Sequence, residues 1–319
     1  MLKILLVKTS SKGDVIHNLP VASDIRAALP DSHIDWVVEE SLAAIPRMHP
    51  GVNRVIPIAL RRWRRQLFSG ATWREFGAFR REFRCYDYDV IVETQGLLKS
   101  AFVATLARGP VYGFGPGTAR EPLASRFYSV TYEFPPEAHK IFRCRSVAAR
   151  ALGYPVAETI DYAIAPRVPP PSFGDGPYCL VFHSTARAAK LWPEANWLEL
   201  VRLLEGAGYA CILPWGNDEE CARSERIAAA YSRAIVPPRL SLDEISALVT
   251  GAEVVVGVDT GLMHLAAALA RPVVGIFCDS NPVDACPLGP GPTAYRGHIG
   301  RPPTVDAVVE AIREVAPDL

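Results

Sequence analysis

Nothing in the 319 residues approaches the ~20 consecutive uncharged apolar residues that a membrane-crossing helix requires, so no such span is expected. Charge of one sign is also missing. The 34 Lys and Arg balance 34 Asp and Glu, so nothing global favours nucleic acid, and any basic surface must be local. The seven cysteines (85, 144, 179, 211, 221, 278 and 286) contain no C-x-x-C and are odd in number. That argues against a disulfide framework or a zinc site, and for free, mostly buried thiols in a reducing cytosol. The opening stretch Met1-Leu2-Lys3-Ile4-Leu5-Leu6-Val7-Lys8 is too short in its apolar part for a signal core and runs into Lys and Gly rather than a cleavage site, so it reads as a buried first strand. Neither G-x-G-x-x-G nor G-x-x-x-x-G-K-[ST] occurs, which disfavours a nicotinamide dehydrogenase or a P-loop enzyme, since close backbone approach to phosphate needs those glycines.

What is present is a soluble globular composition, 49% apolar and 21% charged, with apolar runs of strand length recurring along it. They fall at Ile4–Val7, Ile34–Val38, Val55–Ile58, Val90–Val92, Val111–Phe114, Cys179–Phe182, Ala210–Leu213, Ala234–Val236, Val254–Val258 and Val273–Phe277, with helical patterns between most of them. Alternating strand and helix signals predict parallel, doubly wound α/β sheets, and this many strands suit two sheets rather than one. Residues 165–177 are too rich in Pro and Gly for a regular element and read as a linker. The expected organisation is two facing Rossmann-like domains, 1–164 and 178–303, with a cleft between them, and a terminal helix over 304–319 that Thr304 caps. Each domain opens alike: a strand runs into a polar, hydroxyl-bearing loop, Lys8–Asp14 in the first and His183–Lys190 in the second.

The most informative segment is Val254–Val258 followed by Asp259-Thr260-Gly261 and the Ala-rich run from Leu262 to Ala268. A strand, a tight turn and a helix start in quick succession make a ready anion site, lying where ligands bind in open α/β sheets. The plain alternative is that Asp259 and Thr260 only cap the helix. His264, one turn later, is a lone helix histidine of the kind that is usually structural. Lys190 ends the second loop as a point charge suited to pyrophosphate, though surface lysines are common. Glu220, following a strand end, has the position of a ribose-binding acid but equally that of an ordinary acid at a helix start. Asp14 either caps a helix or serves as a general base, and these readings weigh evenly. Arg61-Arg62-Trp63-Arg64-Arg65 is a basic run that reads as a solvated face or as a holder of a multiply anionic ligand near a membrane, and Lys99, Arg120, His139, Lys140 and Arg143 add charge to the same domain.

These phrases together resemble the bacterial lipopolysaccharide heptosyltransferases of glycosyltransferase family 9. The likeness runs through Leu5–Val15, Asp35–Glu40, Val55–Arg64, Gln95–Ser100, Ala119–Ser125, Asp161–Ala165, Lys190–Glu194, Leu213–Gly216 and Val258–Leu262, and so covers nearly the whole chain. The Arg61–Arg64 and Ala119–Ser125 phrases resemble the type that adds the first heptose. The resemblance implies a GT-B fold with the acceptor domain first and the donor domain second. It implies inverting transfer of L-glycero-D-manno-heptose from ADP-heptose to a Kdo hydroxyl of Kdo2-lipid A, in the cytoplasm, with no metal and no cofactor beyond the co-substrate. Contact with the inner-membrane surface stays open, and no nucleic-acid partner is expected. Asp14 and Lys190 are then the catalytic pair. Ser184, Thr185, Lys190, Glu220, Asp259, Thr260, Gly261 and His264 hold the donor. Ser10, Arg61, Arg62, Arg64, Lys99, Arg120, His139 and Lys140 hold the acceptor. Where the family often has a second hydroxyl beside the threonine, this chain has Ala186, which offers phosphate no side-chain hydrogen bond. Two alternatives remain at this stage: addition of a later core heptose, or a non-catalytic protein that binds anionic glycolipid.

Overall fold

A computed structural model describes residues 1–282 and 286–319. The chain divides into two compact units, Met1–Ala163 and Ile164–Leu319. The first unit carries β1 (Lys3–Val7), α1 (Lys12–Ile16), α2 (Leu19–Ala28), β2 (His33–Glu39), α3 (Ala44–Arg47), β3 (Arg54–Ile58), α4 (Leu60–Arg65) and α5 (Gly70–Phe83). It continues with β4 (Val90–Glu93), α6 (Leu98–Leu106), β5 (Val111–Phe114), β6 (Val130–Tyr132) and α7 (Lys140–Leu152). Its six strands are all parallel and lie in the order β3-β2-β1-β4-β5-β6. Because β1 is central, Ile4 to Val7 are fully buried on both faces, which is why the run is continuously apolar rather than alternating. Leu5 and Val7 pack with Trp63, Phe79, Phe83 and Ala101 from α4, α5 and α6.

The second unit repeats the plan with β7 (Tyr178–Phe182), α8 (Glu194–Gly206), β8 (Ala210–Ile212), α9 (Asp218–Ala228), β9 (Ala234–Ile235), α10 (Leu242–Gly251), β10 (Val254–Val258), α11 (Gly261–Ala268), β11 (Val273–Ile276) and β12 (Thr293–Arg296). Its strands are again all parallel, in the order β12-β11-β10-β7-β8-β9. The terminal helix Val305–Val315 is capped by the Thr304 hydroxyl, which accepts from the Ala307 N–H, and its Val308, Ile312 and Val315 join Trp192, Trp197 and Val256 in one core. Residues 165–177 contain no helix or strand. Among the described residues no helix is long and apolar enough to cross a membrane. All seven cysteines are free, and four of them, Cys144, Cys179, Cys211 and Cys278, are buried.

Read from its first strand, each unit has the strand order of a dinucleotide fold, 3-2-1-4-5-6, although neither carries the glycine fingerprint. The order reverses between β1 and β4 in the first unit and between β7 and β10 in the second. At such a point the loops leaving the two central strands diverge and open a crevice at their carboxyl ends, which is where ligands sit in open α/β sheets. Two strands escaped the sequence reading, β6 and β12. Both are sheet edges, and with Val130, Thr131 and Tyr295 exposed they lack an apolar run.

Candidate functional site

In the first unit the switch point is closed by side chains. Gln95, just past β4, accepts through Oε1 from the Thr9 N–H (2.8 Å), the Thr9 hydroxyl (2.8 Å) and the Ser10 N–H (3.3 Å). Its loop is held by Glu93, a fully buried carboxylate that accepts from the Gln95 and Gly96 N–H groups and from the Tyr128 hydroxyl at 2.5 Å. Burial pushes the Glu93 carboxyl above its ordinary range, against the pull of those donors. Ser10 Oγ accepts from Lys99 Nζ (2.8 Å) and Gln95 Nε2 (3.3 Å).

This bracing shapes a cavity of about 270 Å³ lined by Lys8, Asp14, Gln95, Arg120, Lys140 and Arg143 among others. Asp14 sits at the third position of α1, where its carboxylate accepts from the Ser11 N–H (3.1 Å) and hydroxyl (2.9 Å). The helix cap is therefore Ser11, and Asp14 completes a capping box rather than being the cap itself. Burial would raise the Asp14 pKa, but the charges of Lys8 and Lys140 and the two Ser11 bonds outweigh it and hold the carboxyl below its ordinary value. The cavity is thus a cationic enclosure around one ionised carboxylate.

The remaining expected acceptor residues divide. Arg120 and Lys140 line the cavity. Arg61, Arg62 and Arg65 line a second hollow of about 430 Å³ with Glu39 and Glu40, and Arg64 is exposed. Arg62 is committed to carboxylates on both sides, Glu40 (3.1 Å) and Glu75 (2.8 Å). His139 caps α7, its Nδ1 accepting from the Ile141 N–H at 3.3 Å. In the free protein both residues brace their surroundings. Lys8, Thr94 and Gln95 were not picked out from the sequence. Lys8 is 6% exposed and donates to the Thr94 carbonyl at 2.5 Å, and the available signal was a lysine at the end of a fully buried strand.

In the second unit the switch point joins the β7 and β10 loops. The Thr185 hydroxyl donates to the Asp259 carbonyl (3.0 Å), and the Lys190 ammonium is paired with the Asp259 carboxylate. Lys190 is not a solvated surface lysine: its side chain is 18% exposed. Burial works to raise the Asp259 pKa, but the Lys190 hydrogen bond, the neighbouring Ser280 and the nearby Lys190 and His264 charges bring it below the ordinary value. Thr260 is the N-cap of α11, yet its side chain makes no capping bond, and Asp259 faces Lys190 instead. The turn therefore does not close its own helix start, and the leading N–H groups of α11 with the Thr260 hydroxyl form an anion cradle beside an ammonium. His264 is buried one turn on. Glu220 lies behind the Asn217 cap of α9, its Oε2 accepting from the Gly216 N–H at 2.8 Å.

Ser184 is tied into a buried hydrogen-bonded chain. The Ser224 hydroxyl donates to the Leu213 carbonyl (3.1 Å), so its oxygen accepts from His183 Nε2 (2.7 Å). His183 Nδ1 then carries no hydrogen and accepts from the Ser184 hydroxyl at 2.8 Å. The one proton Ser184 could offer an anion is spent on His183, and the chain Ser184–His183–Ser224–Leu213 pins the loop from below. His183 is fully buried and burial is the main reason its pKa falls to about 4; His49 behaves alike. The sign follows. With folded values below the ordinary 6.5, the unfolded chain takes up these protons first, so stability is complete above pH 6.5 and is lost as pH falls toward 4. Each histidine contributes about 3 kcal/mol to that loss. Urea unfolding between pH 4 and 7.5 should show this slope, and His183→Gln should flatten it; a slope unchanged in that variant would contradict the assignment.

Comparison with known proteins gives the family and the fold. Residues 76–310 match the model of glycosyltransferase family 9 (heptosyltransferase). The chain is 44% identical to lipopolysaccharide heptosyltransferase 1 of Salmonella typhimurium over 284 residues, which is 88% of this chain and 90% of that protein. The structure of the E. coli heptosyltransferase WaaC with ADP superimposes with a TM-score of 0.91 at 40% identity, covering 99% of this chain and all of the other. The same enzyme with ADP-2-deoxy-2-fluoro heptose gives 0.88 at 39% identity over 98% of this chain and 99% of that one.

Proposed function

Because the chain belongs to glycosyltransferase family 9, the heptosyltransferase family, we propose that it transfers L-glycero-D-manno-heptose from ADP-heptose to a Kdo hydroxyl of Kdo2-lipid A, with inversion. The observation that carries the reading is the ionised Asp14 in its cationic cavity. An acidic sugar with a hydroxyl to activate calls for both cations and a base, and this cavity brings the two together. We assign Arg120, Lys140, Ser10 and Lys99 to the acceptor's acidic groups, with Arg61 and Arg64 beyond them. Thr185, Thr260, Gly261 and the start of α11 are assigned to the donor diphosphate, His264 and Asp259 to the sugar beside it, and Glu220 to the ribose.

The step balances simply. The acceptor oxygen forms a bond to the anomeric carbon as the bond from that carbon to the phosphate oxygen breaks. The acceptor proton passes to the Asp14 carboxylate, and the electron pair leaves with ADP. The growing phosphate charge meets the Lys190 ammonium and the helix N–H groups, so the charge is balanced by protein groups and the reaction needs no metal ion. We place the reaction on the cytoplasmic side, where both substrates are expected.

The test is transfer from ADP-heptose to Kdo2-lipid A, followed beside an acceptor that already bears heptose, with and without excess EDTA. Transfer to the unheptosylated acceptor, undiminished by EDTA and giving the opposite anomeric configuration by NMR, is expected. Transfer confined to the heptosylated acceptor would replace this reading by addition of a later sugar, and loss in EDTA would overturn the metal-free step.

A further inference from the structure

The connection between α4 and α5 presents an apolar tip that the fold does not use. Phe68 is fully exposed, and Leu67 and Trp73 are more than half exposed. This is not a loose loop. The Trp73 indole N–H donates to the Leu67 carbonyl at 2.8 Å, the Ser69 N–H donates to the Gln66 carbonyl at 3.0 Å, and the Ser69 hydroxyl caps α5. Beneath it Trp63 packs edge-on against Phe76 and Phe79, at 5.7 and 5.9 Å. The tip is held outward by bonds on one side and a ring cluster on the other. Single exposed apolar residues are ordinary, but an adjoining Leu, Phe and Trp make a patch of apolar surface left in water.

The surroundings choose the occupant. Arg64, Arg65 and Arg74 flank the tip, are exposed, and form no ion pair among the described residues, while the acids of the neighbourhood, Glu40 and Glu75, are already taken by Arg62. A second copy of the chain would find apolar surface ringed by like charge. A bilayer with anionic headgroups finds both of its needs met: rings and an aliphatic side chain to enter the acyl boundary, and guanidinium groups at headgroup level. The tip also adjoins the acceptor machinery, since Arg61 and Arg64 of α4 act electrostatically on Lys99, which in turn bonds Ser10.

We propose that the Leu67–Phe68–Trp73 tip with Arg64, Arg65 and Arg74 is a membrane anchor that seats the first unit on an anionic lipid surface. This deepens the acceptor reading above, because a lipid-borne acceptor is met at such a surface. The experiment is flotation of the full chain with phosphatidylcholine vesicles with and without phosphatidylglycerol, over a salt series. The parent should bind the anionic vesicles and be released by salt. Phe68→Ser should weaken binding about tenfold, and Arg65→Glu with Arg74→Glu should abolish preference for the anionic lipid. A parent that does not float, Phe68→Ser binding as the parent does, or loss only on replacing exposed Phe102 of α6 would overturn the anchor. Transfer to an acceptor stripped of its acyl chains should be equal in parent and Phe68→Ser. That measurement separates the two readings: vesicle binding without transfer sinks the reaction, and transfer without vesicle binding sinks the anchor.

Discussion

Asp14→Asn should lower the transfer rate by about 10²–10⁴-fold while leaving affinity for ADP as it is. The substitution keeps an oxygen that accepts from the Ser11 N–H and hydroxyl, so the capping box and the shape of α1 survive. What is lost is the charge and the ability to take a proton. ADP affinity is the control because its assigned groups all belong to the second unit, 164–319, whereas Asp14 belongs to the first. The pH profile gives a second check. Lys8, Lys140 and the Ser11 bonds outweigh burial and hold the Asp14 pKa below its ordinary value, so the carboxylate is ionised throughout the neutral range. It loses its proton-accepting form only as pH falls through the lowered pKa, and kcat/KM should show no inflection from Asp14 between pH 5 and 8. A base of low pKa has little driving force early in the reaction, so proton transfer should be late, as the acceptor oxygen becomes bonded and acidic. Undiminished turnover in Asp14→Asn, or an inflection near neutrality that this variant abolishes, would remove the residue from the base role.

How much of this was legible beforehand differs between fold and site, for a physical reason. Central parallel strands are buried on both faces, so Val254–Val258 and Val111–Phe114 announce themselves as unbroken apolar runs at the bounds they adopt. Edge strands carry no such demand, and β6 and β12 went unseen. The turn after β10 was readable because a strand, a cap residue and an Ala-rich helix are local signals. Lys190 stood out as a cation suited to pyrophosphate, but its pairing with Asp259, 69 residues away in sequence, is no local signal. The same holds for Gln95, whose three accepted bonds lie across the sheet from its own strand. Where the Ser184 hydroxyl points its hydrogen was not readable either, since that depends on His183, Ser224 and the Leu213 carbonyl together. Arg62 is a like case: a run of arginines reads as free charge, and only the fold brings Glu40 and Glu75 to one of them. Local propensity and burial are written in short windows of sequence, whereas the state of a polar group is written in its partners.

Lys190→Met should weaken ADP binding about 10- to 100-fold by calorimetry and lower the transfer rate further. The substitution keeps the apolar stem and removes the ammonium, which does two things at once. It deletes the cation facing the diphosphate, an interaction that grows as the leaving group gains charge, so the rate should suffer more than the affinity. It also strands the Asp259 carboxylate, leaving a largely buried negative charge at the start of α11 with only Ser280 and His264 to offset burial. That carboxylate then repels the diphosphate that Lys190 had attracted. The second effect predicts partial rescue: Lys190→Met combined with Asp259→Asn should recover part of the lost ADP affinity, since the repulsion goes with the charge. It should not recover the rate, since no cation returns to the leaving group. Rescue of affinity without rescue of rate separates the pair's two duties, holding the turn together in the free protein and neutralising the phosphate during transfer. Additive losses in the double variant would instead mean that Asp259 contacts the donor through its charge even in the absence of Lys190, and unchanged ADP affinity in Lys190→Met would place the diphosphate elsewhere.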